Sequence, residues 1–237
     1  RVSDGRVLAL VKAWLVTPVE EQDERGNTQR TTRNKDEGRG TPQGAPLSPL
    51  LANLYLRRFI LGWKQHGHEA KFQARIVSYA DDFVILCRRG ADRALIAMRD
   101  MMQRLKLTVN EAKTRTCRLP HESFDFLGYT VGNYWSWRKQ RMQLSRRPSP
   151  KSIKRVKAKI SALTRRRQTM LDEKTVVQRL NRLLVGWANY FAEGTVLQAY
   201  RNIDHHAEQR LRQWLGAKHK KQGLRHDLYP HEFIYEK

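Results

Sequence analysis

Residues 75–87, RIVSYADDFVILC, constrain the fold more than any other stretch. Two short apolar runs, Arg75–Tyr79 and Phe83–Cys87, flank the junction Ala80-Asp81-Asp82, and their composition is that of strands joined in a hairpin. Adjacent carboxylates repel unless a positive group lies beside them. Asp-Asp is also a poor two-residue hairpin turn compared with Asn-Gly. Acids at the tip of stiff apolar strands could coordinate a hard cation through oxygen ligands. An ordinary polar turn is the plainer alternative.

The hairpin sits within an alternation of helices and strands. Residues 4–16 place Val7, Leu8, Leu10, Val11, Trp14 and Leu15 mainly on one helical face, with Asp4 in the position of a cap and Pro18 limiting continuation. Residues 19–40 are polar, with Gly26-Asn27 as a turn, and predict an exposed hairpin or loop. A Gly/Pro-rich turn, GTPQGAPLSP from Gly40, leads into a helical apolar pattern through Trp63. Residues 91–106 predict an amphipathic helix with Leu95, Ile96, Met98, Met102 and Leu105 as core. The segment FDFLGYTVGNYW, from Phe124, reads as strands interrupted at Gly128 and Gly132. After Pro148 and Pro150 only helical patterns follow. Residues 151–167 carry Ile153, Val156, Ile160 and Leu163; residues 175–191 carry Val176, Leu180, Leu183, Leu184, Trp187 and Phe191; residues 196–215 carry Val196, Leu197, Tyr200, Ile203, Leu211, Trp214 and Leu215. The expected architecture is α+β over residues 1–147 and an all-α bundle over 148–237.

Charge narrows the partners. Lys and Arg number 46 against 23 Asp and Glu, an excess of +23 that points to a polyanion. Nucleic acid fits better than an anionic membrane surface, because no basic helix has a large aromatic apolar face. No run approaches the ~20 apolar residues that span a bilayer, and the start lacks the pattern of a secretory signal. Cys87 and Cys117 are far apart, without a C-x-x-C pair, which argues against a cysteine zinc site and for reduced thiols in the cytoplasm. From Arg138 to Arg167 no acid interrupts Arg138, Lys139, Arg141, Arg146, Arg147, Lys151, Lys154, Arg155, Lys157, Lys159, Arg165, Arg166 and Arg167. A solvated helix face normally mixes signs, so this run reads as a phosphate-binding surface. Tyr134, Trp135 and Trp137 just upstream serve either base stacking or a core. A second cluster comprises Lys218, Lys220, Lys221 and Arg225. His205 and His206 diverge by roughly 100° on a helix and are expected to be surface histidines.

The motifs themselves go further. Tyr79-Ala80-Asp81-Asp82 resembles the catalytic turn of reverse transcriptases, and Gly40-Thr41-Pro42-Gln43-Gly44-Ala45-Pro46-Leu47-Ser48-Pro49-Leu50-Leu51-Ala52-Asn53 is similar to the block preceding it, especially in the group II intron branch. Leu105-Lys106-Leu107 with Lys113-Thr114 looks like the next block, and Phe126-Leu127-Gly128-Tyr129 like the primer-contacting one. Leu180-Asn181-Arg182-Leu183-Leu184-Val185-Gly186-Trp187-Ala188-Asn189-Tyr190-Phe191 resembles the maturase, or thumb, region of group II intron proteins. The order and spacing of the blocks agree with that family.

The resemblance implies a palm portion over 1–147 and a thumb/maturase bundle over 148–237. It implies Mg²⁺ on Asp81 and Asp82, with Tyr79 and Ala80 along the approach of primer end and nucleotide. Pro42, Gln43 and Gly44 would turn close to the incoming nucleotide and template, and Lys113 would sit near the triphosphate. Leu127 and Gly128 fall in the primer-contacting block. The implied partners are an RNA template, an RNA/DNA duplex, deoxynucleoside triphosphates and group II intron RNA; the oligomeric state is not specified. The family uses a further carboxylate from an earlier strand, expected ahead of Arg1, so the chain is expected to be a fragment without fingers and of little activity alone. The ending HDLYPHEFIYEK does not suggest the metal-rich endonuclease of some relatives. Two other roles share these motifs: an RNA-binding splicing factor that does not copy, and a reverse transcriptase recruited to host defence.

Overall fold

The computed structural model describes residues 3–22, 28–31, 48–136, 139–221, 223 and 225–235. The chain forms two compact units, Arg1–Thr116 and Cys117–Lys237. In the first, α1 (Gly5–Val16) starts where Asp4 Oδ1 accepts from the amides of Arg6 and Val7, at 2.8 and 3.5 Å. Its apolar residues remain largely in solvent, with Val7, Leu8, Leu10 and Trp14 all exposed. β1 (Val19–Gln22) and β2 (Thr28–Thr31) pair antiparallel where a hairpin or loop is expected, while Gly26-Asn27, expected as a turn, and residues 32–47 lie outside the described residues.

The core of this unit forms between α2 (Ser48–Gln65), a short α3 (His68–Lys71), the pair β3 (Ala74–Tyr79) and β4 (Asp82–Cys87), and α4 (Ala91–Arg104). Phe59 and Trp63, one turn apart on α2, are fully buried against Phe72 and Ala74 and against Ala94, Met98 and Met102 of α4. The α4 residues recur at i, i+4, which sets one helical stripe. Ile96, expected in this core, is instead 58% exposed. It lies about 200° around the helix from Ala94, on the opposite face.

In the second unit β5 (Phe124–Phe126), β6 (Tyr129–Ser136) and β7 (Arg141–Pro148) form an antiparallel sheet in that order. Gly132 does not interrupt a strand; β6 runs through it, and a Cβ there would come 3.0 Å from Ser123 Cβ. β7 is not anticipated by sequence because its residues, RMQLSRRP, read first as charge. The helices α5 (Pro150–Leu163), α6 (Glu173–Tyr190) and α7 (Leu197–Lys218) follow, with short α8 (Arg225–Leu228) and α9 (His231–Tyr235). Their stripes meet as expected: Val156, Ile160, Val176, Leu180, Ile203, Leu211, Trp214 and Leu215 form the core. Leu197 is the exception, 70% exposed in the first turn of α7.

The first helix of the bundle stops earlier than its basic tail suggests. Thr164 Oγ1 donates to Ile160 O, and the Arg210 guanidinium donates to Ser161 O and Thr164 O. These bonds satisfy the last carbonyls of α5, and a 3-10 helix, Arg166–Met170, continues the chain. Arg212, buried on α7, donates to Tyr229 O and Glu208, which fastens the C-terminal helices to the bundle. The sheet belongs with this bundle, so the contact seam lies at Thr116/Cys117, whereas residue 148 marks the passage from strand to helix. Ser149 N donates to Gly128 O at 2.8 Å, one of the bonds that join them.

Candidate functional site

β3 and β4 pair from Ala74↔Cys87 to Tyr79↔Asp82. The loop is therefore two residues, Ala80-Asp81, and Asp82 already belongs to β4. Alternation then divides the hairpin. Ile76, Phe83, Ile85 and Cys87 pack into the core, while the pairs Arg75↔Leu86, Val77↔Val84 and Tyr79↔Asp82 share the other face. Val77, Leu86 and Tyr79 are exposed there. Asp82 thus stands at the end of an open apolar strip, and Asp81 stands at the tip.

Ala80 has φ 50°, the sign that a type II′ turn requires at its first central position, where glycine is usual. For an L-residue such backbone costs about 1–2 kcal/mol. Asp81 and Asp82 are exposed, and among the described residues neither carboxylate has a hydrogen-bond or ion-pair partner. Hard carboxylate oxygens open to water suit Mg²⁺, which keeps several waters and takes one or two carboxylates. The pair fits two ligands of such an ion. Among the described residues no group of three or more His, Cys, Asp or Glu converges.

Lys113 lies in a turn in which its amide donates to Asn110 O at 3.1 Å and Asn110 Oδ1 at 3.2 Å. An Arg99–Glu111 pair, bonded through both carboxylate oxygens, ties this turn to α4. The Lys113 side chain is exposed. Pro42, Gln43 and Gly44 lie outside the described residues.

The Leu127-Gly128 turn is the most heavily bonded of the expected sites. Phe126 pairs with Tyr129, and both intervening residues have positive φ, 49° and 78°, as a type I′ turn demands. Gly128 O accepts from Ser149 N and from Ser152 Oγ, at 2.8 and 2.9 Å. Ser149 also caps α5, its hydroxyl accepting from Ser152 N at 3.2 Å. Tyr129 donates through its hydroxyl to Tyr190 O at 2.8 Å, and Tyr190 to Leu127 O at 2.9 Å. The turn is thus clamped between the start of α5 and the end of α6. Sequence reasoning misses Ser149, Ser152 and Tyr190 as parts of this site, although Ser149-Pro150 is a legible helix start.

The basic residues divide by how free they are. Lys151, Lys154 and Arg155 are exposed on α5, whose Val156 and Ile160 are buried, and Arg165, Arg166 and Arg167 are exposed beyond its end. Lys218 Nζ instead donates to Thr169 O and Leu171 O, at 3.2 and 2.6 Å, which holds the 3-10 helix against α7. Arg146 is paired with Glu193, and the Arg147 guanidinium stacks 4.5 Å from the centre of the Tyr134 ring. Lys220 is exposed, and Lys221 stands 5.8 Å from the Tyr229 ring centre. Trp135 is 42% exposed opposite Met142, and Trp137 lies outside the described residues. His206 is not a plain surface residue. Its Nε2 lies 3.1 Å from Ser161 Oγ and 3.3 Å from Lys157 O, and burial lowers its pKa, helped by the charges of Lys157, Arg210 and His205.

An exposed carboxylate pair on a hairpin tip, and cations gathered on a separate helical unit, are the chemistry of handling phosphates. No helix among the described residues is long and apolar enough to cross a membrane. None of the curated proteins matches the chain significantly. Residues 4–131 match the family model for reverse transcriptase (RNA-dependent DNA polymerase), and residues 153–231 match that for the group II intron maturase-specific domain.

Proposed function

The chain belongs to the reverse transcriptase family, in its group II intron maturase branch, and from that premise we propose that it serves RNA-directed DNA synthesis together with binding of intron RNA. The observation that carries this reading is the pair Asp81 and Asp82, unpartnered at a strained two-residue turn in a chain of charge +23.

Asp81 and Asp82 would hold Mg²⁺, which when bound supplies Lewis-acid stabilisation to phosphoryl transfer. Tyr79 and Ala80 line the approach of the primer 3′-hydroxyl and the nucleotide. Lys113 offsets triphosphate charge, and Pro42, Gln43 and Gly44 belong to the block assigned to the incoming nucleotide and template. Leu127 and Gly128 present a rigid backbone turn to the primer. The exposed cations of α5 and of Arg165–Arg167 take the phosphates of template–primer or intron RNA. The functional seam between palm and thumb/maturase falls at 147/148, and the protein works in the cytoplasm.

The test uses the natural protein that carries this sequence. Asp81→Ala and Asp82→Ala should each reduce primer extension on an RNA template by on the order of 10³-fold while intron-RNA affinity stays within about twofold. Extension that survives both substitutions sinks the catalytic assignment. A second reading, an RNA-binding splicing factor that does not copy, is favoured by the absence of a third clustered ligand among the described residues. It expects no extension by the unaltered protein and splicing assistance that is indifferent to both substitutions. A host-defence role would share the same residues and differ in which RNA is copied.

A further inference from the structure

A cleft of about 280 Å³ opens where the Leu127-Gly128 turn, α5 and α6 meet. It lies at the small end of ligand sites, the scale of one nucleotide. Its walls are chemically divided. Leu183, Trp187, Tyr190 and Phe191 line one side, and Arg155 and Lys159, one helical turn apart on α5, stand on the other.

Two features mark this cleft as a place for something bound. Arg155 and Lys159 are exposed, and among the described residues neither side chain has a hydrogen-bond or ion-pair partner, unlike those of Arg146 and Lys218. Tyr190 is 58% exposed although its hydroxyl is fixed to Leu127 O, so its ring face is both rigid and available. Rigid aromatic faces beside free cations are how proteins hold unstacked RNA nucleotides.

We propose that this cleft seats one unpaired nucleotide of a bound RNA, its base against the aromatic wall and its phosphate at Arg155 and Lys159. The proposal rests on the RNA-binding reading above and adds a base-sized pocket to it. A helix face that only met duplex phosphates would be indifferent to the presence of a base.

The experiment compares the natural protein's affinity for three RNA hairpins of one stem: with a single bulged adenosine, with the same bulge abasic, and with no bulge. The adenosine hairpin should bind about tenfold more tightly than the abasic one. Leu183→Phe, which fills the cleft, should abolish that preference. Arg165→Gln with Arg166→Gln and Arg167→Gln should weaken all three hairpins and leave the preference intact. Should Leu183→Phe fail to fold, a photoreactive thiouridine in the bulge decides by cross-linking to the peptide that contains Trp187 and Tyr190. Equal binding of the three hairpins, a preference that persists in folded Leu183→Phe, or cross-links elsewhere overturns the proposal. Failure to bind any hairpin removes the RNA-binding reading and this proposal with it.

Discussion

Gly128 and Gly186 show how one residue type answers to opposite constraints. Gly128 has φ 78°, and a Cβ there would come 3.0 Å from Ser152 Oγ and 3.2 Å from Phe191 Cζ. Gly186 lies inside α6, where an added Cβ meets nothing within 4 Å. Alanine at 128 takes on the left-handed backbone penalty of about 1–2 kcal/mol and displaces two neighbours, offset in part by a stiffer unfolded chain. Gly128→Ala should therefore lower unfolding free energy by about 1–2 kcal/mol. Gly186→Ala should raise it by about 0.5–1 kcal/mol, the helix propensity difference. Urea denaturation of both variants checks the contrast, and equal signs would refute it. Sequence alone marks both only as glycine. Gly128 is legible as a site through its motif, but its steric role emerges only with the Ser149–Ser152 clamp in place.

Between elements, the α5–α7 contact carries a titratable wedge. His206 faces Ser161 Oγ and Lys157 O, with Lys157, Arg210 and His205 as the charges around it. Burial, reinforced by those cations, depresses its pKa below the ordinary 6.5. The unfolded chain therefore takes up the proton first. Stability is fully present above about pH 6.5 and declines as pH falls from there toward the folded pKa. His68, in the other unit, is shifted in the same direction by burial, so the informative quantity is the difference between proteins. His206→Gln should show a flatter fall of Tm across that window than the unaltered protein, followed by thermal melts at a series of pH values. Parallel curves would show that His206 is not the group responsible. Elements are legible in sequence where a single period dominates: Val156 and Ile160 on α5, or Met98 and Met102 on α4. They are missed where charge masks the period, as in β7, whose Met142 and Leu144 alternate with polar residues yet stay exposed. The end of α5 is missed for a different reason. Its cap is Arg210, forty-six residues onward, and no local signal contains that bond.

Over the whole molecule, 46 cations against 23 acids make charge attraction the strongest pull toward any polyanion. The sequence discloses that excess in full but not which cations remain available, because pairing is decided by the fold. Arg146 is neutralised by Glu193, and Lys218 serves two backbone carbonyls. Arg165, Arg166 and Arg167 stand exposed around the 3-10 helix that Lys218 pins in place. Counterion release turns this distinction into a slope, since each phosphate contact contributes about 0.7–0.9 to the dependence of log affinity on log salt. Replacing Arg165, Arg166 and Arg167 by Gln should lower that slope by about 2–3 for an intron-RNA fragment. Arg146→Gln should change it by less than about 0.5, because its charge is already matched. Lys218→Gln should act on stability first, by about 1–3 kcal/mol from carbonyls left unpaired, with little change of slope once the protein is folded. Fluorescence anisotropy titrations across a series of KCl concentrations measure all three slopes, and urea denaturation of Lys218→Gln measures the stability loss. If Arg146→Gln lowers the slope as much as a member of the exposed trio, Glu193 yields its partner to RNA, and the division of the basic surface into free and engaged cations fails.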